Sequence, residues 1–74
     1  MPKKQPLQAR LARRLRELRD EHGLSQMDMV RDYGWSLSHY QKLERGVLDP
    51  RITTLERLAE EAYGLTLAEL LDGV

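Results

Sequence analysis

The stretch GLSQMDMVRDYGWSLSHYQKLERG, residues 23–46, carries two short helical signals on either side of one glycine. Ser25-Gln26-Met27-Asp28 has the form of a capping box, with Asp28 where Glu or Gln is usual. The serine hydroxyl accepts from the N–H three residues on, and the carboxylate reaches back to the serine N–H. A helix opened there ends near Tyr33-Gly34. Ser36 caps a third helix, roughly Leu37 to Arg45, stopped by Gly46. Two helices meeting at a sharp angle need a turn residue that accepts positive φ, which Gly34 does at little cost. Apolar residues at 29, 33, 40 and 43 lock the pair against its neighbours and leave the other side of the third helix free. From the local pattern alone, such a pair is either an ordinary packing unit or a device that reads DNA.

Working outward, Leu7, Leu11, Leu15 and Leu18 fall at i, i+4, i+8 and i+11, one face of a first helix. Arg10, Arg13, Arg14, Glu17 and Asp20 fill the other side, and His22-Gly23 ends it. Beyond residue 46, VLDP is a loop. Thr53-x-x-Glu56 opens a fourth helix carrying Leu55, Leu58, Ala59 and Ala62, closed by Gly64. Thr66-x-x-Glu69 opens a last turn or two with Leu67, Leu70 and Leu71. Strand signals are almost absent. The expectation is an all-α fold, a compact bundle of about five short helices. Trp35, Tyr33, Tyr40 and the leucines are its core candidates. Residues 1–6, MPKKQP, read as a flexible N-terminal arm, and residues 7–74 as one domain.

A chain of 74 residues supports one small domain with a marginal core. There is no cysteine, so disulfides and thiolate metal sites are excluded. His22 and His39 are the only imidazoles, too few for a catalytic metal, so no cofactor is expected. Ser36-x-x-His39 has nothing to orient the imidazole, and no glycine-rich phosphate loop is present, so an enzyme is not expected. No stretch is apolar long enough to span a bilayer, and a cytoplasmic location is expected. Net charge is zero, which argues against a strongly basic nucleic-acid binder. Its distribution is uneven: residues 1–20 carry seven basic side chains against two acidic, net +5, residues 21–51 net −1, and residues 52–74 net −4. A basic front and acidic back can orient a protein on a polyanion, although a mixed solvated surface is the plainer reading.

The spacing in residues 23–46 resembles the helix-turn-helix of the Cro and phage-repressor (XRE-type) family. Gln at the start of the second helix, a small residue four on, Gly eight on, and apolar residues fourteen and seventeen on correspond to Gln26, Val30, Gly34, Tyr40 and Leu43. LRELRDEHGLSQ, LERG and DP…TLERLAEEAYGLTLAELL match the family's flanking helices, so the resemblance runs from residue 7 to about 72. Val30 stands where alanine is customary, Trp35 and Tyr40 are bulkier than the usual Val or Ile, and one extra residue lies between Ala59 and Gly64. That last feature predicts a longer fourth helix.

The resemblance implies a lambda-repressor-like DNA-binding domain whose third helix enters the major groove. Gln26 would then dock on phosphate or a base edge from a helix N-terminus. Leu37, Ser38, Gln41 and Lys42 would be groove readers, where Gln suits adenine and Lys guanine. Ser36 would cap and touch phosphate, His39 would sit at the rim, and Arg45 and Arg51 would meet the backbone. Arg10, Arg13, Lys3 and Lys4 would add phosphate contacts. Arg19 and Glu44 would form a partly buried ion pair fixing the third helix. Taken singly, each of these is an ordinary surface residue of an amphipathic helix.

Val47, Leu48, Leu65 and Val74 lack obvious core duties and suggest a homodimer contact. The alternative is that they cover helices four and five. The expected function is a sequence-specific double-stranded DNA-binding regulator, a repressor on a palindrome-like operator, with RNA polymerase or a regulatory protein as further partners. The rival is a protein-interaction module on the same fold, presenting Leu37, Trp35 and Val47.

Overall fold

The computed structural model describes residues 5–74; the expected arm falls largely on residues 1–4, including Lys3 and Lys4, and lies outside them. Among the described residues there are helices and no strands. In chain order they are α1 (Leu7–Glu21), α2 (Gln26–Tyr33), α3 (Leu37–Glu44), α4 (Ile52–Leu58) running into a π-helical turn (Ala59–Tyr63), and α5 (Leu67–Leu70). None of the helices is long and apolar enough to cross a membrane.

The capping chemistry forms at three of the starts. Ser25 Oγ accepts from Asp28 N at 3.0 Å, and Asp28 Oδ2 accepts from Ser25 N at 2.8 Å. Ser36 Oγ accepts from His39 N at 3.2 Å. Thr66 and Glu69 repeat the reciprocal box at 3.1 and 3.0 Å. The same bonds hold the Asp28 and Glu69 carboxyls below the usual carboxylate range, led by the backbone amides of Ser25 and Thr66.

The fourth helix departs from expectation at both ends. It does not open at Thr53. Arg51 occupies the N-cap position with no side-chain cap, and Leu55 N already bonds Arg51 O at 3.1 Å, so the ladder starts upstream of Thr53. At the far end, the extra residue before Gly64 is accommodated by widening the last turn into a π-helix rather than by lengthening a regular α-helix. Widening keeps both Ala59 and Tyr63 buried against the core while Gly64 still closes the helix.

Leu11, Leu15, Leu18, Met29, Tyr40, Leu43, Leu55, Leu58, Ala59, Tyr63 and Leu70 make one core. Tyr33 and Trp35 are half-buried at its edge, where Trp35 meets Tyr40 edge-on with ring centroids 5.5 Å apart. Leu7 keeps the period of the α1 stripe but is 58% exposed. Of the residues expected at a dimer contact, Leu48, Leu65 and Val74 pack against the core, and Val47 stays exposed.

Two glycines fix the approach of the elements. Gly34 ends α2 at φ 75° and turns the chain into α3. Gly46 ends α3 at φ 75°, and a Cβ there would lie 3.1 Å from Ala9 Cα and 3.2 Å from Gln8 O. Only a residue without a side chain lets the end of α3 come this close to α1.

Candidate nucleic-acid interface

The inner side of α3 buries Tyr40, Leu43 and Glu44, which leaves Leu37, Ser38, Gln41 and Lys42 exposed along its outer side. This division follows from the helical period: the buried and exposed sets lie on opposite faces. Leu37 is 37% exposed, so its isobutyl group is half in solvent. Ser36 is occupied as the α3 cap. His39 lies beside Trp35, ring centroids 5.2 Å apart, in a cleft shared with Thr54 and Glu61. Arg45 and Arg51 are exposed after α3 and before α4.

Glu44 anchors α3 from beneath. Its carboxylate receives Arg19 Nε at 2.6 Å and Arg19 Nη2 at 3.1 Å, a two-pronged pair in which the Glu44 side chain is 3% and the Arg19 side chain 16% exposed. Such paired bonds fix geometry as well as charge. Arg19 Nη1 also donates to Leu24 O at 3.0 Å, tying the α1–α2 turn to the same point. Burial pushes the Glu44 carboxyl up, but the bonds from Arg19 and the Gln26 amide outweigh it and hold the group below its ordinary range. Donation to the Glu44 carboxylate is the main reason the Arg19 guanidinium is held further above its own.

Gln26, at the first position of α2, turns its side chain toward this anchor. Its Nε2 donates to Glu44 Oε1 at 3.1 Å, and its Oε1 accepts from Gln41 Nε2 at 3.5 Å. The structure therefore brings Gln26, Gln41, Arg19 and Glu44 together, with Arg45 at the rim of the same depression. Ser38 and Lys42 make no side-chain bond to the rest of the described residues.

Two arginines play parts that sequence reasoning did not assign. Arg16 reaches the Glu44 carbonyl through Nη1 and borders the depression. Its position one turn before Arg19 on α1 was the available signal. Arg14 donates from Nε to Leu70 O at 2.9 Å and from Nη2 to Glu69 O at 3.1 Å, holding the end of α5. Arg10, expected at phosphate, instead donates to Gln5 O at 3.1 Å and to Val74 O at 3.2 Å. Arg13 is exposed and lies 3.8 Å from Glu17. Part of the basic front is thus spent on internal carbonyls. Among the described residues, no cluster of His, Asp or Glu is placed to hold a metal ion.

The sequence model of the helix-turn-helix domain family matches residues 10–72. The chain is 43% identical over 65 residues to the HTH-type transcriptional regulator DdrOP3 of Deinococcus deserti, covering 88% of this chain and 50% of that protein. It is 34% identical over 58 residues to the cryptic phage CTXphi transcriptional repressor RstR of Vibrio cholerae, covering 78% of this chain and 51% of that one. The chain thus spans about half the length of these curated relatives. No solved structure matches it. A helix-turn-helix in register over nearly all of its length, with Gln26, Gly34 and Leu43 at the expected places, identifies the chain as a member of the helix-turn-helix domain family of the Cro and phage-repressor (XRE) type.

Proposed function

We propose that this domain binds double-stranded DNA as part of a transcriptional regulator, a repressor, with α3 seated in the major groove. The observation that carries the reading is the outer face of α3, where Leu37, Ser38, Gln41 and Lys42 stand exposed on a helix pinned from below by Arg19 and Glu44. Base readers must be held rigidly, and a helix fixed by directed bonds meets that need. The regulator and repressor named among the relatives support the same reading, and the family is non-enzymatic. The domain comprises residues 7–74, preceded by an arm, and acts in the cytoplasm. Two copies on a palindrome-like operator would set their α3 helices roughly 34 Å apart, one turn of DNA. Gln26, Ser36, Arg45 and Arg51 supply phosphate contacts at the edges of the face, and promoter occlusion is the mechanism of repression. Contact with RNA polymerase or a regulatory protein through the acidic C-terminal part is a further partnership of the same reading.

Selection from a random duplex pool tests this, run with the wild-type chain and with a Gln26→Ala/Ser38→Ala/Lys42→Ala variant. The wild type should enrich a two-fold-related motif and the variant should not. Binding should weaken steeply with salt, because phosphate contacts release counterions. The rival reading, a surface for another protein, draws on the exposure of Leu37 and Val47. It would be favoured by an absence of enrichment at low salt.

A further inference from the structure

A cleft of about 320 Å³ opens where the α2–α3 turn and the first turn of α3 face α4 and the π turn. Tyr33, Trp35 and Leu58 give it aromatic and apolar surface. Trp35 is the only tryptophan of the chain and stands where the family pattern has a smaller residue. It is half-buried: it meets Tyr40 edge-on, and its ring lies 5.2 Å from that of His39 at a tilt of 41°. Core packing thus uses part of the indole, and the rest borders the cleft. The polar groups of the cleft are weighted toward donors. Arg57 gives Nε to Glu61 Oε2 at 2.5 Å, and its two Nη groups bond no other described residue. Ser36 Oγ accepts from His39 N and keeps its own proton to give, while the Thr54 hydroxyl and the His39 ring have no hydrogen-bond partner among the described residues. Glu61, the one carboxylate at the cleft, is already engaged by Arg57.

We propose that this cleft binds a small aromatic anion, a flat ring bearing a carboxylate or a phosphate, and that its occupation weakens DNA binding. The second clause rests on the DNA-binding reading above. A guanidinium with its Nη fork unused takes two anionic oxygens in parallel, and hydroxyl donors beside it complete their hydrogen bonding. A flat ring on the same ligand packs against the indole of Trp35. The cleft is at the small end of the range for ligand sites, so the ligand is a single substituted ring rather than a large cofactor. Its place explains the coupling. Ser36, assigned above to phosphate, lines the cleft, and His39 lies at the rim of the α3 face. A bound anion takes up the Ser36 hydroxyl and sets negative charge beside the DNA backbone. Ligand and DNA therefore each lower the affinity of the other, by the same factor.

The test is an NMR titration of the labelled chain with benzoate and with phenyl phosphate, against benzamide, which lacks the charge, and acetate, which lacks the ring. Benzoate or phenyl phosphate should give saturable shifts at the Trp35 indole N–H and at the amides of His39, Thr54 and Arg57, and the tighter of the two names the anionic group. Benzamide and acetate should bind at least roughly tenfold more weakly, the worth of a charge-assisted bond. Arg57→Gln and Trp35→Val, each first shown by thermal melting to be folded, should weaken the tighter probe by a similar factor; the Arg57 side chain is 69% exposed, so its loss opens no core. In the presence of the duplex that wild type selects, at constant ionic strength, the same probe should lower duplex affinity roughly fivefold or more in wild type and not in Arg57→Gln. Shifts that do not saturate, shifts centred away from Trp35 and Arg57, or an equal response to benzamide and acetate would overturn the site. Saturable binding that leaves duplex affinity unchanged would overturn its coupling to DNA. A wild-type pool with no enriched duplex would overturn the DNA-binding reading and the coupling, while the titration still decides the site.

Discussion

The two halves of the molecule are held by different physics. In the front half, α1, α2 and α3 meet at Arg19, Glu44 and Gln26, where charged and polar groups make directed bonds of 2.6 to 3.1 Å. In the back half, α4, the π turn and α5 meet one another through Leu55, Leu58, Ala59, Tyr63 and Leu70, all buried. The directed bonds that join this half to α1 are those that Arg10 and Arg14 make to the C-terminal carbonyls at its edge. Directed bonds fix position and rotation together, whereas apolar burial rewards removal from water and tolerates several arrangements. The tolerance is visible: one extra residue between Ala59 and Gly64 is taken up by a wider turn with the core still closed. The lesson is that precision is concentrated under α3, the helix whose outer face is proposed to read DNA.

The largest break in this comparison is removal of one partner of the ion pair. Glu44→Ala strands the Arg19 charge at a site that is mostly out of water, and should cost about 3–5 kcal/mol in denaturant unfolding. Replacing both residues by apolar ones of similar size should recover much of that loss. A loss under about 1 kcal/mol in the single variant would make the pair a surface contact and erase the contrast between the halves.

Gly46→Ala should come next. The left-handed conformation costs a residue with a side chain about 1–2 kcal/mol, and the new Cβ also presses on the Ala9 backbone. Thermal melting of this variant should fall well below that of the wild type, and an unchanged melt would mean that α3 and α1 are not locked at this point.

Acid should loosen the front half before the back. The folded Glu44 carboxyl holds its proton less tightly than the same group in the unfolded chain, whose ordinary value is 4.5. Below that value the unfolded chain binds more protons, so stability rises with pH there. The contribution is whole above about pH 4.5 and is lost as pH falls through the lower folded value. Glu44→Gln should flatten this dependence in a pH series of denaturant melts and leave the shallower slope due to Asp28 and Glu69, whose folded values are also lowered. An equally steep acid dependence in Glu44→Gln would mean that the ion pair is not its source.

The smallest effect belongs to the back half. The Tyr63 hydroxyl is buried with no hydrogen-bond partner, and burial pushes its pKa up to about 12. Tyr63→Phe removes an unsatisfied group without opening a cavity, so stability should change by less than about 1 kcal/mol, toward stabilisation. A loss above about 2 kcal/mol would show that this hydroxyl is bonded and that the interior of the back half, too, depends on directed contacts.

Local chemistry was what the sequence displayed best. Ser25 with Asp28, Ser36, Thr66 with Glu69, and the glycines at 34 and 46 mark ends because each acts within a few residues of itself. The leucine stripe gave the inner face of α1 from Leu11 onward. What was not legible depends on distant partners. Leu7 keeps the period, yet its side chain is left 58% exposed. Arg10 and Arg14 look like free cations until the C-terminal carbonyls, more than fifty residues away, come to them. The start of α4 was missed because Arg51 uses no side-chain cap, and the π turn because it replaces a period rather than breaking one. The outer face of α3 follows from its period. The wiring of Gln26 to Glu44 and Gln41 does not, because it needs two helices brought together by Gly34.

The most direct test of the account is to titrate the labelled chain with the duplex it selects and follow its backbone amide resonances by NMR. Shifts concentrated at Gln26, Ser36–Lys42 and Arg45, with α5 nearly silent, are the expected result. Shifts centred instead on Leu7, Val47 and Ile52, or spread evenly over both halves, would contradict the claim that the pinned outer face of α3 is what meets DNA.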